Sequence, residues 1–100
     1  IYTVSNNTPP ARYGANAVIK NSMIANGAKI NGTVINSIIS RNVVIEEGAR
    51  IENAIIFTDT KVGKDVVIQR AIIDKYVKIE KTKLLAGKES VLYIKQGEKL

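Results

Sequence analysis

The phrase Asn21-Ser22-Met23-Ile24 recurs as Asn36-Ser37-Ile38-Ile39, Asn53-Ala54-Ile55-Ile56 and Arg70-Ala71-Ile72-Ile73, at intervals of 15, 17 and 17 residues. Self-similarity at a near-fixed period marks a repeat architecture, in which each unit buries its apolar face only by stacking on its neighbours. Within the repeat, Ile39, Ile45 and Ile51 stand six apart and Ile56 follows after five; Val62, Ile68, Ile73 and Ile79 continue the same beat. An amphipathic helix needs apolar residues at a spacing of three or four, which a steady six does not give. The 6-6-5 rhythm reads instead as three short strands per turn, each turning one aliphatic inward, the pattern of a hexapeptide-repeat β-helix. Isoleucine and valine number 26 against 4 leucines, and β-branched side chains favour strands over helices.

The expected fold is therefore all-β, a single-stranded parallel β-helix of about four coils. Residues 17 apart stack about 4.8 Å apart along its axis. Ile45, Val62 and Ile79 form one aliphatic column, and Ile39, Ile56 and Ile73 another. Ser37, Ala54 and Ala71 fill a small-residue corner, Asn36 and Asn53 suit an amide ladder, and Gly48 sits at a corner where positive φ costs nothing. Asp65 and Thr82 take the place of Gly48 in later coils, which predicts less regular final turns. The first coil is the shorter one, running Ile24, Ile30, Val34, Ile39.

Residues 1–17 lack the beat, and Pro9-Pro10 exclude a paired central strand, so they read as a linker or cap. The β-helix is expected over 18–85. Residues 86–100 then supply a turn at Lys88-Glu89-Ser90 and a capping strand at Val91–Lys95. The open ends of such a stack expose unpaired backbone that must be capped or docked, which makes it an assembly module.

The residue inventory excludes much chemistry. There is no cysteine and no histidine, so neither a disulfide framework, a Cys-based zinc site nor the histidine base of many hexapeptide-repeat acyltransferases is available. No phosphate-binding Gly-x-x-x-x-Gly-Lys-[Ser/Thr] loop occurs, and Glu46-Glu47, Asp59, Asp65 and Asp74 show no metal-ligand spacing. Neither a catalytic residue nor a metal site is expected. Asn6-Asn7-Thr8 and Asn31-Gly32-Thr33 match a glycosylation pattern but read as turn residues. No apolar run approaches a membrane span and no secretory leader is visible, so a cytoplasmic location is expected. Net charge is +6, with no acidic residue before Glu46. Basic surfaces attract anions, but the 5% of aromatics do not interleave with the cations as single-strand binders require, so nucleic acid is not expected as a partner.

The wording of the repeats carries a resemblance. Asn21-Ser22-Met23-Ile24-Ala25-Asn26-Gly27, Ile30-Asn31-Gly32-Thr33-Val34-Ile35-Asn36-Ser37 and Ile72-Ile73-Asp74-Lys75-x-Val77-x-Ile79 resemble the C-terminal left-handed β-helix domain of glucose-1-phosphate adenylyltransferase. Ile1-Tyr2-Thr3 and Pro9-Pro10-Ala11-Arg12-Tyr13 resemble the segment leading into that domain. The resemblance implies a left-handed coil and a separate N-terminal domain that makes ADP-glucose and pyrophosphate from ATP and glucose 1-phosphate with Mg2+. It also implies a role in glycogen biosynthesis, as a catalytic or accessory subunit in a homo- or hetero-oligomer. The β-helix itself would assemble subunits and contribute to allosteric control by an anionic sugar phosphate, without a cofactor of its own. A second reading is the protein-interaction domain of another sugar-nucleotide pyrophosphorylase or a related translation-factor subunit. By the same resemblance Lys75, Arg70 and Lys95 match effector-binding positions. Arg41 joins them because it shares a stacking column with Lys75 two coils away, about 10 Å by strand spacing. Arginine there suits bidentate phosphate contact.

Overall fold

A computed structural model describes residues 11–15, 17–80, 83–87 and 90–100. The first coil contains β1 (Arg12–Tyr13), β2 (Val18–Lys20) and β3 (Met23–Ile24). The second contains β4 (Lys29–Ile30), β5 (Thr33–Ile35) and β6 (Ile38–Ile39). The third holds β7 (Val44–Ile45), β8 (Arg50–Glu52) and β9 (Ile55–Ile56). The fourth holds β10 (Lys61–Val62), β11 (Val67–Gln69) and β12 (Ala71–Ile73), and the fifth β13 (Lys78–Ile79), β14 (Leu84–Ala86) and β15 (Leu92–Ile94). Every third strand pairs in parallel, giving three five-stranded sheets: β1-β4-β7-β10-β13, β2-β5-β8-β11-β14 and β3-β6-β9-β12-β15. This is the left-handed β-helix of hexapeptide repeats.

The core is the inward column of each sheet. Ile30, Ile45, Val62 and Ile79 line the first, Val34, Ile51 and Ile68 the second, and Ile39, Ile56 and Ile73 the third, all 1% exposed or less. Burying each such side chain contributes about 1.5–3 kcal/mol. Ile24, an expected repeat position, is only partly buried because it lies in the terminal coil.

The stack has five coils where about four were expected. Its pairing also reaches outside 18–85: Arg12 and Tyr13 pair with Lys29 and Ile30, within the segment read as a linker. The last strand is Leu92–Ile94 and continues the third sheet on β12. The shortening lies at one corner of the second coil, where only Asn31 and Gly32 separate β4 from β5. Pro9-Pro10, Asn6–Thr8, Thr82 and Lys88-Glu89 lie outside the described residues.

Three stacked corners are built from residues with positive φ, a region that costs most side chains energy but suits Gly, Asn and Asp. Asn21, Asn36, Asn53 and Arg70 (φ 50–54°) form one such corner, Gly48 and Asp65 (81° and 59°) another, and Gly27, Asn42, Asp59, Tyr76 and Gly97 (59–79°) the third. Asp65 thus repeats the turn of Gly48 rather than breaking it. Corner N–H groups bond to the previous coil, as when Arg70 N–H donates to the Glu52 carbonyl at 3.0 Å and Tyr76 N–H to the Thr58 carbonyl at 3.1 Å. The amide bond along the asparagine corner runs from Asn21 Nδ2 to Asn36 Oδ1 (2.7 Å), one rung earlier than the Asn36–Asn53 pair expected. At the small-residue column the Ser22 Oγ accepts from Ser37 N–H at 3.0 Å, and the Ser37 Oγ from Ala54 N–H at 3.1 Å.

Candidate functional site

The corner joining the third sheet to the first gathers most of the expected site residues. Asp59 N–H donates to the Arg41 carbonyl at 3.2 Å and Tyr76 N–H to the Thr58 carbonyl, so Arg41, Thr58 and Lys75 form one column on successive coils. Asp74 N–H donates to the Ile94 carbonyl at 2.9 Å, and Gly97 N–H to the Lys75 carbonyl at 3.2 Å. Lys95 therefore lies on the coil next to Lys75, at the same corner. Arg41, Lys75 and Lys95 are all exposed.

Arg70 is also exposed, but it belongs to the opposite corner, in the column of Asn21, Asn36 and Asn53. Strand β12 separates it from Lys75. The four expected residues are thus three at one corner and one across the sheet.

Beneath this corner the buried Thr60 hydroxyl donates to the Asp74 carbonyl at 2.8 Å and accepts from Val77 N–H at 3.4 Å. That satisfies a polar group that would otherwise be costly to bury. The Asp74 carboxylate accepts from the Tyr93 hydroxyl at 2.5 Å and from Lys75 N–H at 2.7 Å. Donation by Tyr93, then by the Lys75 amide, together with the Lys75 charge, holds the Asp74 carboxyl below the ordinary carboxylate range. The same bond pushes the Tyr93 phenol up. The corner therefore presents the three cations Arg41, Lys75 and Lys95 with two carboxylates, Asp74 held by its hydrogen bonds and Asp59 exposed. This excess of one positive charge attracts anions through lysine point charges and one arginine fork. Among the described residues, no group of His, Cys, Asp and Glu side chains could hold a metal ion.

The Asp74–Tyr93 bond is not visible in the sequence. It depends on a register shift: β12 pairs with β15 at an offset of 21 residues, as in Ile73 with Ile94, rather than 17. The resumption of inward aliphatics at Leu92 and Ile94 is the only trace of that shift in the sequence.

Replacing Tyr93 with phenylalanine is expected to raise the Asp74 pKa towards its ordinary value, read from the carboxyl carbon shift during an NMR titration. Because the folded-state pKa of Asp74 is depressed, this bond stabilises the fold above the unfolded carboxylate pKa and ceases to as pH falls through the folded one. The stability gap between parent and Tyr93→Phe should therefore be present at neutral pH and close in acid. An unchanged Asp74 titration would show that the bond does not persist in solution.

Residues 9–90 match the family described as GlmU-like, C-terminal hexapeptide. The chain belongs to that family. Among relatives of this hexapeptide protein, a glucose-1-phosphate adenylyltransferase of Corynebacterium jeikeium (strain K411) is 38% identical over 74 residues, covering 73% of this chain and 18% of the relative. Glucose-1-phosphate adenylyltransferases of Bacillus thuringiensis (strain Al Hakam) and Bacillus anthracis are each 33% identical over 91 residues, 91% of this chain and 24% of theirs. The hexapeptide chain thus spans about a quarter or less of the length of these relatives. Among the described residues, no helix is long and apolar enough to cross a membrane.

Proposed function

We propose that this chain is the non-catalytic assembly and regulatory region of a glucose-1-phosphate adenylyltransferase. The observation that carries the assembly role is the outward column of the third sheet: Met23, Ile38, Ile55, Ile72 and Tyr93, in register on five successive strands. Met23, Ile38 and Tyr93 are 66%, 44% and 56% exposed, and Phe57 beside the column is 41% exposed. Alternating strands normally turn polar residues outward, and a continuous apolar stripe is a contact surface. The column is about 19 Å long by strand spacing and carries no charge on any rung. Its occupant is another subunit.

The similarity to glucose-1-phosphate adenylyltransferases favours an adenylyltransferase over another sugar-nucleotide pyrophosphorylase. Adenylyl transfer from ATP to glucose 1-phosphate, with its Mg2+, is assigned to a separate domain in the cytoplasm, in glycogen biosynthesis. The corner of Arg41, Lys75 and Lys95 is the proposed seat of an anionic sugar-phosphate effector, with Arg70 outside it.

Supplied with ATP, Mg2+ and glucose 1-phosphate, the chain is expected to form no ADP-glucose, and in sedimentation velocity to associate as concentration rises. Turnover by the chain alone, or a strict monomer at all concentrations, would overturn the proposal.

A further inference from the structure

The outward column of the first sheet is as unusual as that of the third, and opposite in chemistry. Arg12 pairs with Lys29, Lys29 with Val44, Val44 with Lys61, Lys61 with Lys78, and Lys78 with Lys99. Five of six successive rungs are cationic and stand at strand spacing, about 4.8 Å per step, over a track of about 24 Å. Like charges directly opposite on neighbouring strands destabilise a sheet, so this column works against the fold that displays it.

Among the described residues, two carboxylates beside the track, Glu46 and Glu80, offset the repulsion in part. Among the described residues the one ion pair on this column is Lys61 with Glu46, at 3.8 Å. Arg12, Lys29, Lys78 and Lys99 are exposed. Arg12, Lys29, Val44 and Lys61 also line an open groove together with Glu46, so four rungs of the track border a concave surface.

We propose that this face docks an acidic strip of a partner protein. Acidic protein is favoured over nucleic acid by the acids beside the track. Glu46 and Glu80 each follow an inward residue of the first sheet, Ile45 and Ile79, and so lie beside Lys61 and Lys78. A phosphate backbone, uniformly negative, would meet both carboxylates, whereas a protein surface can set a cation opposite each. Complementary charge of this kind sets orientation and encounter rate more than it sets affinity. The face is separate from the apolar third sheet, so the two contacts can form independently.

The test measures fluorescence anisotropy of labelled poly-L-glutamate, and separately of single-stranded oligo-dT, titrated with the chain at low salt. Lys29→Glu combined with Lys78→Glu reverses two rungs of the track. Lys20→Glu combined with Lys64→Glu, one on the second sheet and one at a corner, changes net charge equally. The track pair is expected to weaken poly-L-glutamate binding about tenfold or more, and the control pair by about twofold or less, with sedimentation unchanged for both. Lys29→Gln with Lys78→Gln should give an intermediate loss, and covers the case in which the glutamate pair misfolds. Equal weakening by track and control pairs would reduce the effect to diffuse charge and overturn the proposal. So would no binding at low salt, or tighter binding of oligo-dT than of poly-L-glutamate.

Discussion

Ile56→Asp is expected to abolish folding, with loss of the far-UV β signal and of any cooperative urea transition. Ile56 lies wholly buried in the third-sheet column between Ile39 and Ile73. Its in-register neighbours are the aliphatic side chains of Ile39 and Ile73, which offer a carboxylate no charge partner. An unpaired acid there either carries charge into an apolar core or neutralises at the expense of its pKa, and each costs several kcal/mol. The aliphatic contact is lost as well, a term that alone reaches about 2–5 kcal/mol for Ile→Ala. A domain of this size has only about 5–15 kcal/mol in hand. A folded Ile56→Asp chain with a near-parental urea midpoint would refute the inward assignment of this column.

The second large effect is expected at Gly32, where the second coil turns its shortened corner. A Cβ on Gly32 would run into the backbone carbonyl oxygens of Ala49 and Glu46 in the next coil. Both obstacles are main chain, and the Ala49 carbonyl already accepts Thr33 N–H at 2.9 Å. Gly32→Ala must therefore push the adjacent coils apart and stretch that bond, an overpacking cost of about 1–3 kcal/mol or more. Gly97 is the control: a Cβ there meets nothing within 4 Å, and only its φ of 79° opposes substitution. Gly97→Ala should cost about 1–2 kcal/mol through the backbone alone. Urea midpoints are expected to fall further for Gly32→Ala than for Gly97→Ala; the reverse order would place the tight coil contact elsewhere.

The inward half of the fold is legible because it obeys a local rule. The six-residue step between Ile45 and Ile51, or Val62 and Ile68, is visible in a single coil and needs no knowledge of pairing. The outward half is set by register between coils, and register changes where a corner gains or loses residues. From Arg12 to Lys99 the offsets between rungs are 17, 15, 17, 17 and 21 residues, so the cationic track cannot be found by any single period. The apolar outward column is hidden for a related reason. Ile55 and Ile56 read as one apolar pair, and only the strand's alternation assigns one to solvent and one to the core. The fifth coil is hidden because the strands carry Tyr13 at one end of the stack and resume only after a four-residue excess at the other.

For the candidate site, the 17-residue period suffices to bring Arg41 and Lys75 together. It fails for Tyr93, whose bond to Asp74 exists only in the 21-residue register. Asn42 shows how the corner turns without a glycine. It takes φ of 59° in the same corner column as Gly27 at 79°, a conformation asparagine tolerates better than other side chains.

The pair Ile55 and Ile56 also supplies the most direct test of the assembly role. Ile55→Glu puts a carboxylate on the central rung of the outward apolar column and leaves the core untouched. Sedimentation velocity of this variant beside the parent, over one concentration series, is expected to show an associating parent and a folded, monomeric variant. Association of Ile55→Glu equal to that of the parent would contradict the assignment of the third-sheet face as the contact between subunits.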